Sequence, residues 1–310
     1  MHLELENIRK VYDQKVAVDN LSLSVPKGVI YGIIGPNGAG KTTTIRMIMN
    51  IIAPDSGSVT FDGKKANIAF LERVGYLPEE RGLYKKMTLR QVITYMAELK
   101  GCPRKTTATR ISPWLTKMGL IEYIDQKVEE LSKGMQQKLQ FVTTLIHEPD
   151  IIILDELFSG LDPINVELIR GVLMDLKREG KTILFSTHVM EQAEKLCDYI
   201  CMISNGIKVL DGTMSEIKSQ FGKNSLHVEI KGDGSFISGL PGVASLTEYS
   251  NYLEIKLAEN ASTQLILSKL VEKVEVRRFE IAEPSLYEIF ISTAQIDPKE
   301  LEDKAGAANV

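Results

Sequence analysis

The sequence predicts an α/β fold with a helical insertion, followed by a small C-terminal α+β domain, and three observations carry this reading. Residues 29–34, 151–154 and 182–185 are almost continuously apolar, as strands buried on both faces of a sheet are. Residues 88–147 switch to the apolar spacing of helices, so helices are inserted between two strands of the core. Beyond Asp211-Gly212-Thr213 the style changes again, to separated strand-like runs and one helix. With 310 residues the chain exceeds one average domain. The expected division is 1–220 and 221–310, with Phe221-Gly222-Lys223-Asn224 as the boundary and a helical subdomain at about 86–147.

Residues 3–11 and 17–25 alternate apolar and polar positions (Leu3, Leu5, Ile8, Val11; Val18, Leu21, Leu23, Val25), the period of half-buried strands. Tyr12 lies in the connection between them. Its ring is either ordinary packing or a platform on which a nucleobase stacks, and the residue alone leaves both open. Pro26-Lys27-Gly28 is a turn that delivers the chain to the central strand.

That strand runs into Gly35-Pro36-Asn37-Gly38-Ala39-Gly40-Lys41-Thr42, and residues 43–50 follow with helical spacing at Ile45, Ile48 and Met49. Strand, glycine-rich turn and helix are the context that a G-x-x-x-x-G-K-[ST] phosphate loop requires. Glycines let backbone N–H groups approach phosphate oxygens, and the helix points its positive end at the same place. The dipole contributes only about 0.3–1 kcal/mol at an exposed end. A triphosphate therefore also needs the Lys41 ammonium, and a Mg²⁺ held partly by the Thr42 hydroxyl.

Residues 53–58 read as a turn, 59–63 as a strand and 74–78 as a short buried strand. The insertion holds helical patterns at 89–99, 113–118 and 133–147. The apolar run 151–154 ends in Asp155-Glu156. Ligands sit beyond the carboxyl ends of parallel strands, so these carboxylates should reach the nucleotide and Asp155 is the expected second Mg²⁺ anchor. The run 182–185 ends in Ser186-Thr187-His188, where the histidine either meets the γ-phosphate or is structural. Strand patterns follow at 226–230, 253–257 and 274–279, helices at 263–273 and 284–291, then a polar tail. No chemical motif lies in this last domain, which leaves regulation, dimerisation or docking as its roles.

Hydrophobic residues make up 44% and charged residues 25%, the balance of a globular protein with a real core. A net charge of −4 gives no basic footprint, so no nucleic acid is expected as a partner. No apolar stretch approaches the roughly 20 residues that span a bilayer, and Met1-His2-Leu3-Glu4 does not open a signal peptide. A cytoplasmic protein is the expectation. Cys102, Cys197 and Cys201 fit a reducing compartment, the last two reading as small buried hydrophobes rather than metal ligands.

From about residue 2 to 215 the chain resembles the ATP-binding subunit of ABC transporters. Leu131-Ser132-Lys133-Gly134-Met135-Gln136 looks like that family's signature, usually Leu-Ser-Gly-Gly-Gln. Asp155-Glu156 matches its Walker B aspartate and catalytic glutamate, Ser159-Gly160-Leu161-Asp162 its D-loop, His188 its switch histidine and Tyr12 its adenine-stacking aromatic. The resemblance implies an ABC-type P-loop NTPase core, a mixed sheet with flanking helices and an antiparallel β subdomain besides the helical insertion. It implies ATP bound by Tyr12 and by Gly35 to Thr43, catalysis by Lys41, Glu156 and His188, and Mg²⁺ held by Thr42, Asp155 and the residue at position 79. Three departures stand out: Lys133 and Met135 in the signature, Leu157 for a common proline, and Glu79 where the Q-loop glutamine is usual. The run from Pro78 to Tyr84, the signature and the C-terminal extension resemble the subgroup that powers ABC-2-type exporters.

Members of this family dimerise head to tail, the signature of one facing the P-loop of the other. One P-loop and one signature per chain therefore imply a homodimer or a pair with a similar subunit, held to the cytoplasmic face of the membrane by an integral-membrane permease. Two alternatives from other classes stay open: a non-transport ABC ATPase acting on DNA or ribosomes, and a nucleotide-binding regulator with little turnover. A GTPase is disfavoured because no Asn-Lys-x-Asp run is present.

Overall fold

The computed structural model describes residues 3–65, 68–80, 82–221, 225–249, 251–258 and 261–294. The chain divides into two compact units, Met1–Thr213 and Met214–Val310. This division falls one helix before the expected 220/221, because residues 214–220 group with the second unit. Three residues of the expected boundary run (222–224), Arg81 and the tail beyond 294 lie outside the described residues.

In the first unit, β1 (Leu3–Tyr12) and β2 (Lys15–Val25) form an antiparallel ladder with Leu3 opposite Val25 and Leu5 opposite Leu23. Leu3, Leu5, Leu21 and Leu23 are all buried, so the period-two pattern turns one face of this ladder into the core. β3 (Ile30–Ile34) is buried at every residue and leads through the glycine-rich turn into α1 (Lys41–Ile48). β4 (Ser56–Phe61) pairs with β1, and β5 (Lys64–Lys65) with β4. The sequence reads 53–58 as a turn, yet β4 already starts at Ser56. Gly57, at φ +86°, sits where a Cβ would stand 2.4 Å from the Asn7 and Glu6 carbonyl oxygens, so this glycine marks an irregular pairing rather than a loop.

After α2 (Ile68–Glu72), which has no counterpart in the sequence reading, comes β6 (Val74–Leu77). The insertion follows as α3 (Leu89–Leu99), α4 (Arg104–Lys117) and α5 (Lys133–Leu145). Thr88 and Gln91 cap α3 reciprocally, at 3.3 and 2.9 Å. α4 starts well before Pro113, the expected first residue. Thr107, Ile111 and Leu115, four residues apart, are all buried. Burying Ile111 and Leu115 gives about 1.5–3 kcal/mol each, which together offsets the ~3 kcal/mol that an interior proline costs.

β7 (Ile151–Asp155), α6 (Pro163–Arg178), β8 (Thr182–Thr187), α7 (Met190–Leu196), β9 (Tyr199–Ser204) and β10 (Ile207–Thr213) complete the unit. Among the described residues the central sheet has the order β10-β9-β3-β8-β7-β6, parallel throughout except for the β9–β10 pair. Ile34 lies opposite Thr187, Asp155 opposite Ser186 and Leu77 opposite Leu154. The loops after β3, β6, β7 and β8 therefore leave from one edge. Cys197 and Cys201 are buried, and burial pushes both thiols well above their ordinary pKa.

The second unit holds α8 (Met214–Gln220), β11 (Ser225–Lys231), β12 (Val243–Glu248), β13 (Leu253–Leu257), α9 (Thr263–Lys273), β14 (Glu275–Ala282) and α10 (Leu286–Ala294). Its antiparallel sheet has the order β12-β13-β11-β14, and Leu226, Val228 and Ile255 pack with Ile266 and Leu270 of α9. This is the α+β unit expected, with β12 as an additional strand.

One buried titratable group in the first unit has a consequence for stability. His147, just past α5, lies 3.3 Å through Nε2 from the Val74 carbonyl, while Nδ1 has no partner among the described residues. Burial, aided by the Lys100 ammonium, pushes its pKa down to about 4. An unfolded histidine titrates near 6.5. The neutral ring's contribution is therefore complete above pH 6.5 and is lost as the pH falls from there toward 4. At pH 5 the loss is about 2 kcal/mol, and less after screening at a half-buried ring. The melting temperature of a His147→Gln variant should fall less steeply between pH 7 and pH 5 than that of the parent. Parallel curves would acquit His147 of acid lability.

Candidate active site

Between β3 and α1 the backbone folds into a compact nest. Gly40, at φ +107°, precedes the helix, and a Cβ there would stand 2.4 Å from the Ala17 carbonyl oxygen. Only glycine fits that position. The first turn of α1 directs its unpaired N–H groups at the loop, a ready-made anion site. Lys41, only 5% exposed, folds its ammonium back to the carbonyls of Gly35 at 2.9 Å and Pro36 at 3.1 Å. A cleft of about 370 Å³ opens here, lined by Tyr12, Lys15, Asn37, Gly38, Lys41, Thr42, Thr43, Glu79 and Glu156 among others. Tyr12 is 45% exposed at this cleft, so it is not a core residue.

Asp155 is fully buried at the end of β7. Its Oδ1 accepts from Ser186 Oγ at 2.5 Å and from Thr42 Oγ1 at 3.3 Å, while Oδ2 has no partner among the described residues. Burial pushes its pKa up, against the two hydroxyls that favour the ionised form. Glu156 follows at φ +51°, a left-handed backbone that is uncommon for a side-chain-bearing residue. Its Oε1 lies 3.4 Å from Lys41 Nζ and its Oε2 2.9 Å from His188 Nδ1. The bond to Glu156 holds the His188 pKa above its ordinary value. Glu79 reaches the cleft from the loop after β6, its pKa raised first by partial desolvation and then by Asp155 and Glu156. Glu79, Asp155 and Glu156 thus share the neighbourhood of the Lys41 ammonium.

The signature run behaves differently. Ser132 caps α5, its hydroxyl accepting the Met135 N–H at 3.3 Å, and both Ser132 and Lys133 are exposed. Gln136 pins the preceding turn through the Val128 and Leu131 carbonyls. Asp162 accepts the Asn165 N–H at 3.0 Å as the cap of α6. Neither Leu131 to Gln136 nor Ser159 to Asp162 lines the cleft. The fold therefore gathers Tyr12, the residues from Gly35 to Thr43, Glu79, Asp155, Glu156 and His188, and leaves signature and D-loop outside. Reading the sequence missed Ser186 and Gln137. The buried Gln137 donates from Nε2 to the Leu157 carbonyl at 3.1 Å, tying α5 to the segment after Glu156. A polar residue closing an apolar run was the only available signal for Ser186.

The family described as ABC transporter matches residues 18–159, and the C-terminal domain of DrrA1-3-like ATP-binding proteins matches residues 212–294. The chain is 40% identical over 289 residues to the ABC transporter ATP-binding protein YhaQ of Bacillus subtilis (strain 168), covering 93% of this chain and 97% of that one. It is 37% identical over 231 residues to the Nod factor export ATP-binding protein I of Paraburkholderia xenovorans (strain LB400), covering 73% and 76%. A solved ATP-binding subunit of an ABC transporter shares the fold with a TM-score of 0.67 at 30% identity, over 71% of this chain and 93% of that one. The similarity runs through both units, and the phosphate loop stands in the fold that such loops serve. The chain belongs to the ATP-binding subunits of ABC transporters, ATP-hydrolysing proteins that work with membrane permease components.

Proposed function

We propose that the chain is the motor of an exporter: two copies, or one copy and a similar subunit, close head to tail over ATP on the cytoplasmic face of a membrane permease. One observation carries the dimer. Ser132 is solvent-exposed and outside the cleft that holds Lys41, so a second chain is needed to bring a signature to the nucleotide. Export is supported by the relative named for Nod factor export.

The chemistry follows from the side chains. Tyr12 stacks on the adenine, and the loop N–H groups with Lys41 take the β- and γ-phosphates. Mg²⁺ fits the donor set. Asp155 Oδ2 is a buried oxygen without a partner among the described residues and the Thr42 hydroxyl is adjacent, the few hard oxygens this ion takes from a protein beside phosphate. When bound, the ion neutralises charge on the phosphate oxygens. Glu79 is a further oxygen at the cleft.

Lys41 and Glu156 attract each other by about 5 kcal/mol at an effective dielectric near 20. Desolvating two buried ions costs several kcal/mol each. Such a pair is close to break-even, so a γ-phosphate displaces Glu156 from Lys41 without a large penalty. His188 then turns to the γ-phosphate, and the freed Glu156 carboxylate takes the proton of the attacking water. Loss of the γ-phosphate removes the contacts that favour the closed dimer, and it opens. The loop with Glu79 and the helical insertion pass this movement to the permease.

Crosslinked membranes from producing cells should yield the chain together with a protein of several membrane spans, and the pair should release phosphate from ATP faster than the chain alone. Recovery without any such partner, or equal rates with and without it, would overturn the assignment.

A further inference from the structure

We propose that Ser186 is a positioning residue for hydrolysis, its one hydroxyl fixing both the Asp155 carboxylate and the backbone turn that aims Glu156. Ser186 is fully buried, so it acts only through its neighbours. β7 and β8 are parallel with Asp155 opposite Ser186, which sets the two side chains next to each other at the sheet's active edge. The hydroxyl has a single proton and gives it to Asp155 Oδ1 at 2.5 Å. Its lone pair accepts the Glu156 N–H at 3.2 Å. One oxygen thus bridges two consecutive acids, one carboxylate and one amide.

The consequences differ for the two residues. At Asp155, occupying Oδ1 leaves Oδ2 as the oxygen without a partner among the described residues, so the carboxylate has a defined face for a cation. The Thr42 hydroxyl, at 3.3 Å from the same Oδ1, is a longer and weaker second contact. At Glu156, the bond holds the N–H of a residue at φ +51°, a conformation that needs support from its surroundings. The neighbouring Thr187 hydroxyl is engaged elsewhere, accepting from the Val189 N–H and donating to Gln192 Oε1. Removing the Ser186 hydroxyl therefore frees the Asp155 carboxylate to rotate and releases the Glu156 turn. Outer-shell partners of metal-binding carboxylates typically carry about 10–100-fold of metal affinity or activity.

The inference rests on the reading that Asp155 holds the nucleotide's metal, and the two can fail separately. The affinity of the full chain for a fluorescent ATP analogue would be measured in EDTA and in saturating Mg²⁺, for the parent, Ser186→Ala and Ser186→Thr. The parent should bind more tightly with Mg²⁺. Ser186→Ala should keep the EDTA affinity within about twofold and lose roughly tenfold of the Mg²⁺-dependent gain. Ser186→Thr, which retains the hydroxyl, should restore it. A structural role alone would move both affinities together with the melting temperature. Should Ser186→Ala not fold, Ser186→Cys, a near-isostere with a poor donor, is read in the same way. A parent without any Mg²⁺-dependent gain overturns the metal reading itself. A parent gain that Ser186→Ala keeps, an equal loss in EDTA and Mg²⁺, or a threonine variant that behaves like alanine overturns the role of Ser186.

Discussion

Glu156→Gln should lower ATP turnover by at least about a hundredfold, the size of a general base's contribution, while ATP binding is retained and a nucleotide-dependent dimer accumulates. The amide has the shape of the carboxylate but does not accept a water proton. Glu156 is 8% exposed and meets Lys41 and His188 through its two oxygens, so an isostere disturbs the packing little. Removing its charge also favours the bound triphosphate, because Asp155 and Glu79 already crowd the same space with negative charge. Phosphate release gives the rate, and light scattering with Mg²⁺ and ATP gives the mass. Unchanged turnover would take the base role away from Glu156, and a monomer at saturating nucleotide would remove the dimer.

The positions of the acids could be read from the chain because parallel strands buried on both faces leave a plain signal, an apolar run, and because such strands end at a common edge. Residues 151–154 and 182–185 therefore locate Asp155 and His188 in the sequence, as the run at 29–34 locates the phosphate loop. Other features depended on contacts with no local pattern. Ser186 is one hydroxyl at the end of an apolar strand, and only the β7–β8 register gives it meaning. Pro113 reads as a helix start because its ring forfeits a backbone bond, but Ile111 and Leu115 are buried on a helix that packs against α3 and α5. Gly57 reads as a turn, whereas the space it leaves is filled by backbone of a strand some fifty residues earlier. The Tyr12 residue type fits core or platform equally, and its exposure at the cleft excludes core packing.

Mixing two inactive variants should recover activity if the cleft is completed by a second chain. Lys41→Ala removes the ammonium that meets the phosphates, and Ser132→Arg places a bulky cation where the partner's nucleotide would rest. Each alone should lower turnover at least about a hundredfold, since Lys41→Ala loses a charged contact to phosphate and Ser132→Arg blocks the closed geometry of the site. Ser132 is exposed, so the arginine fits the isolated chain; losing the cap of α5 costs it only about 1 kcal/mol. In a mixed head-to-tail dimer both lesions fall in the same site, and the other site pairs an intact Lys41 with an intact Ser132. An equal mixture contains half mixed dimers, each with one whole site of two, so about a quarter of parental turnover should return if the sites act independently. A site built within one chain predicts no recovery at all, because each protein carries its own defect. Refolding or co-expressing the pair with two different tags isolates the mixed dimer. Its failure to exceed either variant alone would put the signature and the phosphate loop of this protein in separate functions.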